Sequence, residues 1–336
     1  MGILTFIGKR LLLTIPVIIG VTFLTFAISF LFVPNVTVAW LGLRSTVAAR
    51  AALAAEFHLN DPIYVQYFYY MSNLIHGNWG TIPGGGQPIL YNIEIFFPAT
   101  VELAIASIVI TIVIGIPLGV IAARYHNTKV DHSIRFFYLA GYSSPPFLLA
   151  LLGLLVFGYI FKFFPTQGEL TVGLIAPKHI TGMYVVDSLL TGNWIDLRDS
   201  VWHLILPATA LSLTYFGVVA KMTRASMLEV LQKDFIRAAY AKGLRGSTVI
   251  FKHALRNALI PTITILGLLL GSLLGGTVVI ESIFQWPGIG LFATQAVENY
   301  DFPAIVGTTL IFALAVVSGN LIADVLYAVM DPRIKV

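Results

Sequence analysis

The chain has 336 residues, of which 57% are hydrophobic and 11% charged, with a net charge of +4 and a mean hydropathy of +0.87. A soluble domain carries about 25% charged residues, so the composition excludes an ordinary soluble domain and points to a polytopic all-α membrane protein. The small basic excess sits in loops and speaks for membrane orientation, not for nucleic-acid binding; with no cysteine, disulfides, thiolate metal sites and cysteine nucleophiles are excluded.

Residues 1–10 end in Lys9-Arg10, and residues 11–33 follow without a charge. That is enough to cross ~30 Å of hydrocarbon at ~1.5 Å per residue. The apolar run is longer than the ~7–15 residues of a signal-peptide core and ends in Phe32-Val33-Pro34, so it reads as a retained first span. Residues 34–97 hold no spanning segment and form an extended external cap. Tyr64, Tyr67, Phe68, Tyr69, Tyr70 and Trp79 suit a small helical structure at the membrane interface. Gly84-Gly85-Gly86 reads as a flexible turn. No Gly-x-x-x-x-Gly-Lys-Ser/Thr phosphate loop occurs in the chain.

Residues 98–123 form the second span, with Glu102 about one turn inside its outer end. An intramembrane acid is either functional or held by structural hydrogen bonds. The third span, residues 134–163, carries Gly141-Tyr-Ser-Ser-Pro-Pro-Phe147 near its inner half. Pro145 and Pro146 remove two helix donors and force a kink or break. The freed carbonyls need protein or a water-filled path, since lipid cannot satisfy them. Tyr142, Ser143 and Ser144 supply polar groups there, so this segment either lines a translocation path or is a structural kink.

Residues 165–201 are polar and external; residues 202–222 form the fourth span, with Pro207 in its outer half and His203 as an interfacial side chain. The stretch from Lys221 to Pro261 then holds eight Lys/Arg against Glu229 and Asp234, which the positive-inside rule assigns to the cytoplasm. Within this coupling loop, residues 223–258, Asp234 caps or charges the start of a short helix running through Arg237, Ala238, Ala239 and Lys242 and stopping at Gly243. A second helical piece is predicted over 247–257, before Pro261.

The fifth span is 259–280. Gly267, Gly271 and Gly275 recur every four residues on one face, which either seams to a partner subunit or packs internally. Residues 281–290 read as an aromatic turn at the outer surface, residues 303–330 as the sixth span, and Asp331-Pro-Arg-Ile-Lys335 as a tail. Asn320 and Asp324 share a face near its inner end. With both termini inside, fifteen of the twenty Lys/Arg fall on cytoplasmic pieces.

Several of these stretches resemble one family. Arg237-Ala-Ala-x-x-x-Gly243, with His253-Ala-Leu-Arg-Asn-Ala-Leu-Ile-Pro261 behind it, looks like the EAA loop of permease subunits in binding-protein-dependent ABC importers of the dipeptide/oligopeptide branch. Leu59-Asn-Asp-Pro-Ile-Tyr-Val-Gln-Tyr67, Gly77-Asn-Trp-Gly80, Trp286-Pro-Gly-Ile-Gly290 and the run from Asn320 to Lys335 are similar too. This chain departs at Arg237, where the family motif has Glu. The resemblance implies a single six-helix transmembrane domain whose loop is a coupling helix docked to an ATPase subunit, in a plasma-membrane complex. The complex would hold a second related permease, two ATPase subunits that bind ATP and Mg, and an external solute-binding protein. Family cargoes are peptides, nickel complexes or oligosaccharides. Two other classes compete: an ion-coupled secondary transporter, against which nearly charge-free spans argue, and an intramembrane hydrolase, for which Ser143, Ser144 and His203 are the only raw material.

Overall fold

The computed structural model describes residues 3–32, 36–41, 45–56, 58–82 and 86–330. The tail after Met330 and most of the glycine turn lie outside the described residues. The apolar stretches become helices longer than the predicted spans. The first is α1 (Ile3–Phe32), which takes in the basic pair. The cap follows as α2 (Val36–Leu41), α3 (Val47–Glu56) and α4 (Ile63–Ile75). Next, α5 (Ile89–Arg124) starts well ahead of the predicted second span, so that Pro98 and Pro117 lie inside it. The third segment is α6 (Lys129–Ser143) and α7 (Pro146–Gly153), the latter running into a π-helical turn, Leu154–Ile160. After α8 (Tyr184–Thr191) comes α9 (Trp194–Leu231). At ~1.5 Å per residue it is ~57 Å long, well beyond the hydrocarbon core.

Past α10 (Asp234–Ala241), three pieces join into one rod, Gly246–Phe284: α11 (Gly246–Thr248), a π-helical turn (Val249–Ala254) and α12 (Leu255–Phe284). The separate piece expected over 247–257 is therefore the foot of the fifth span. Pro261 does not end it, because a membrane helix tolerates one missing donor where neighbours and π-type adjustments absorb it. Next come α13 (Ile289–Glu298), which begins at the end of the predicted aromatic turn, and α14 (Phe302–Met330).

The bundle is built round α9. Gly115 and Gly119 of α5 lie against the Phe216 and Ala220 carbonyls, where an added Cβ would come within 3.0 and 2.7 Å. On α6, Gly141 lies under the Leu213 carbonyl, and Gly217 of α9 lies under that of Tyr138. Small residues let backbones approach this closely, which is how helices hold together in lipid.

The third segment bends by 107° at its break. Its contacts nevertheless climb α9 steadily. Asp131 meets Arg224, Tyr138 meets Gly217, Gly141 meets Leu213, Gly153 meets Leu206, and Phe164 meets Trp202. The segment is thus one broken crossing, and with the five long apolar helices it makes six. The break lies opposite Leu213, near the middle of α9.

Among the ties that hold α1 to the rest, Arg10 pairs with Asp324 of α14 at 3.0 Å, and Thr22 bonds the Tyr67 hydroxyl of α4 at 2.7 Å. The glycine stripe divides. Gly267 faces Ala323 and Gly271 faces Asn320 and Val316 of α14, which is internal packing. Gly275 meets nothing within 4 Å, because the four-residue repeat drifts round a 3.6-residue helix; it is Gly276 that meets Tyr215. A side chain at Gly267 would put its Cβ 2.7 Å from that of Ala323. Gly267→Leu is expected to cost about 1–3 kcal/mol by overpacking and to lower the melting temperature of the purified protein in detergent. Gly275→Ala is expected to stay within about 0.5 kcal/mol of the parent.

Candidate functional site

The inner site is α10. Asp234 lies in its first turn, where a carboxylate suits the helix dipole. It does not cap: Lys233 is the N-cap residue, and the exposed Asp234 carboxylate pairs with Arg237 at 3.6 Å. The helix ends because Gly243 adopts φ +75°, a left-handed conformation that glycine takes at little cost. One face is seated inward. Ile236 and Ala239 are buried among Val120 and Ala123 of α5, Met227 of α9, and Val249, Ile250 and Ala254 of the π-helical turn. Burying an isoleucine side chain contributes about 1.5–3 kcal/mol. The opposite face, with Phe235, Arg237, Ala238, Tyr240, Ala241 and Lys242, is exposed, as is Gly243. Ala239 and Gly243 stand four apart, a spacing that would put both on one face of a helix. The structure separates them: Ala239 seats the helix, while Ala238 and Gly243 stand on the open side.

Above α10 the turn between α5 and α6 is clasped to α9. Asp131 is fully buried and takes Arg224 Nε at 2.8 Å and Nη2 at 2.7 Å. Asn127 N–H donates to the same carboxylate at 3.0 Å, and His126 Nδ1 lies 3.0 Å from Arg224 Nη2. Sequence reading missed this pair, whose partners stand 93 positions apart.

The break in the third crossing follows from local sterics. A residue before proline is pushed out of the α region, and here Ser144 and Pro145 both precede one, with ψ of 139° and 137°. Pro146 then occupies the first turn of α7, where its missing N–H costs nothing. The Gly141 and Tyr142 carbonyls lose their i+4 donors to the two prolines, while Ser144 Oγ donates to the Ala140 carbonyl at 2.7 Å. Tyr142, Ser143 and Pro145 are exposed, and Ser144 and Pro146 half-buried, on a face this chain does not cover.

At the outer end, the 281–290 segment is not a surface turn. Trp286 is 1% exposed and its Nε1 donates to the Ala99 carbonyl at 2.9 Å. Fully buried Glu281 accepts from Thr100 Oγ1 at 2.8 Å and Leu291 N–H at 3.0 Å. Gly288 and Gly290 pack onto that carboxylate with no room for a Cβ. Glu102 Oε1 takes Val185 N–H of α8 at 2.8 Å, while its Oε2 is buried without a hydrogen-bond partner. His203 is buried rather than interfacial, its Nδ1 2.9 Å from the Asp199 carbonyl. Among the described residues, no group of three or more His, Asp or Glu is placed to hold a metal ion.

Such a chain, with six crossings and a short amphipathic helix seated under one end of the bundle with one face open, is a membrane transport subunit of the permease class. It belongs to the family of binding-protein-dependent transport system inner membrane components, whose model matches residues 115–336. It is 41% identical over 318 residues to the probable D,D-dipeptide transport system permease protein DdpB of Escherichia coli (strain K12), covering 95% of this chain and 94% of that one. Identity is 40% over 336 residues to the dipeptide transport system permease protein DppB of Alkalihalophilus pseudofirmus, covering 99% of both. It is 37% over 331 residues to the oligopeptide transport system permease protein AppB of Bacillus subtilis (strain 168), covering 98% of this chain and 99% of that one.

Two predictions follow from this geometry. Removing one partner of an enclosed ion pair costs about 3–5 kcal/mol, so Asp131→Ala is expected to lower thermal stability sharply, whereas Asp131→Ala with Arg224→Met recovers most of it. The second concerns Glu169, buried in the loop after the third crossing. Burial, then the neighbouring Glu102 and Glu281 charges, raise its pKa from 4.5 to about 9. The folded chain keeps this proton where the unfolded chain has lost it, so stability falls as pH rises from 4.5 towards 9. Melting temperatures measured from pH 6 to 9 should decline in the parent and decline less steeply in Glu169→Gln.

Proposed function

We propose that this chain is the permease subunit of an ATP-driven ABC importer, forming with a second, related permease a path for short peptides handed over by an external solute-binding protein. The observation that carries the reading is α10: one face is anchored to α5, α9 and the foot of α12, the other is free and offers small and aromatic side chains. A helix anchored in this way passes a push from a docked ATPase into three crossings as a rigid-body movement. ATP and Mg belong to two ATPase subunits. The peptide cargo is supported by the names of the relatives, which are dipeptide, D,D-dipeptide and oligopeptide permeases. The Tyr142–Pro146 break lines the path, where its unpaired carbonyls meet water and substrate. Both termini are cytoplasmic, as the Lys/Arg asymmetry supports.

The test uses the complex reconstituted with its ATPases and loaded binding protein. Ala238→Trp places bulk on the open face, and misfit at an interface costs about 2 kcal/mol or more. Membrane insertion should persist while ligand-stimulated ATP hydrolysis and co-purification of the ATPases drop at least tenfold. Arg237→Ala should do little, since its exposed pair with Asp234 is worth about 0–1 kcal/mol. Full stimulation in Ala238→Trp would refute the coupling role. Because the chain lacks cysteine, Thr191→Cys should label from outside and Gln232→Cys should not; the reverse would overturn the orientation.

A further inference from the structure

We propose that a groove at the end of α9 remote from α10 is a binding site for one membrane phospholipid, whose phosphate Arg198 holds. The groove, of about 530 Å³, is lined by Trp194, Ile195, Arg198, Asp199 and Trp202 of α9 and by Leu174 of the loop before α8.

The length of α9 places the groove in the bilayer. From Ser200 to Ala220 the helix carries no Lys, Arg, Asp or Glu. At ~1.5 Å per residue that run is ~31 Å long, which matches the ~30 Å hydrocarbon core. Trp202 therefore lies just inside the hydrocarbon boundary. Arg198, one turn on, is ~6 Å further out, within the ~5–7 Å layer of headgroups, and Trp194 is a further ~6 Å on. The neighbouring crossing ends at the same level. Phe164 packs on Trp202 with ring centroids 4.7 Å apart, and just before it Phe161, Lys162 and Phe163 are exposed. Two adjacent crossings thus carry aromatic rings and a cation at one depth, as a membrane interface favours.

Arg198 sets the charge of the ligand. It is exposed, and among the described residues no carboxylate pairs with it. Its neighbour Asp199 is already engaged. Thr171 N–H donates to Asp199 Oδ2 at 2.7 Å and Thr171 Oγ1 to Oδ1 at 2.8 Å, and His203 Nδ1 lies 3.4 Å from Oδ2. A guanidinium left without a counter-ion suits a phosphate diester, which its planar fork holds by two hydrogen bonds.

The walls select an amphiphile over free phosphate. Trp194 and Ile195 are each 70% exposed and Trp202 46%. With the phosphate on Arg198, the acyl chains start on the hydrocarbon side and cover Trp202, while the headgroup lies against Trp194; indole rings suit that boundary. The ligand class is a glycerophospholipid recognised by its phosphate. The groove is formed in advance: the bonds from Thr171 to Asp199 hold the loop bearing Leu174 against α9, and Trp202 is seated on Phe164. Little is then left to order on binding.

The test uses the full chain, with the subunits that co-purify with it, in dodecyl maltoside, a detergent without phosphate. The probe is phosphatidylglycerol with a diazirine at the head of one acyl chain. Its label should map to residues 194–202 or 171–175. Unlabelled phosphatidylglycerol should compete, and neither diacylglycerol with the same chains nor glycerol 3-phosphate should. Arg198→Gln, at an exposed position, should keep the parent's melting temperature in lipid-free detergent and lower labelling of those segments at least fivefold; Trp194→Ala should lower it too. Equal labelling in Arg198→Gln, or equal competition by diacylglycerol, would reduce the lipid to an unselective neighbour and overturn the site. Competition by glycerol 3-phosphate as strong as by the lipid would make it a site for free phosphate esters instead. Benzoylphenylalanine at Ile195 that labels a protein subunit and no lipid in native membranes would make the groove a protein interface. Each of these results would leave the importer reading standing.

Discussion

Close backbone approach to α9 is the constraint on which the rest of the bundle depends. Lipid tails are as apolar as leucine, so burying hydrocarbon between helices yields no hydrophobic gain in the membrane, and packing must supply the attraction. Dispersion falls steeply with separation, and here glycines remove the separation: Gly115 and Gly119 on α5, Gly141 on α6, Gly217 on α9 itself. With α5 and α6 pressed onto its sides, α9 becomes the axis against which the broken crossing keeps its course despite the sharp bend.

Polar ties then fix the two ends, where water would otherwise compete. Inside, the Asp131–Arg224 pair holds the α5–α6 turn to α9. Outside, Glu281 gathers Thr100 and Leu291, and Trp286 reaches back to Ala99. Helix α5 takes part at both ends, with Ala123 in the seat of α10 and Ala99 and Thr100 in the outer seal. A displacement of α10 therefore has one continuous helix through which to reach the outer seal, a geometric link between the inner face and the outer one.

Much of the site was readable residue by residue. Asp234 and Gly243 bracket α10 because helix ends are set by local chemistry: a carboxylate near the positive end, a left-handed glycine past the other. Pro145-Pro146 announced the break because pre-proline sterics act within two residues. Other features left no such trace. Whether Ala238 or Ala239 faces the open side depends on where Val120 and Met227 stand, far away in sequence. Gly115 and Gly119 show the same four-residue spacing as Gly267 and Gly271 in the fifth span, so this signal does lie in the sequence. Nothing around Arg198 marks its neighbour Asp199 as already engaged; that follows only from how Thr171 folds back onto it.

The sequence by itself determined that the chain is helical and membrane-spanning, the number and order of its crossings, the break in the third, and the short helix between the fourth and fifth. These rest on hydropathy, charge placement, proline and glycine, all of which act over a few residues. Tertiary structure alone decided that Trp286 is buried and not a surface turn, that Gly267 and Gly271 are filled by α14 while Gly275 is open, and that Ala239 seats α10 instead of facing outward. The physical reason is the same in each case. In lipid the apolar faces of a helix are chemically alike, so which face finds a neighbour is settled by shape and by long-range hydrogen bonds that no local window of sequence contains.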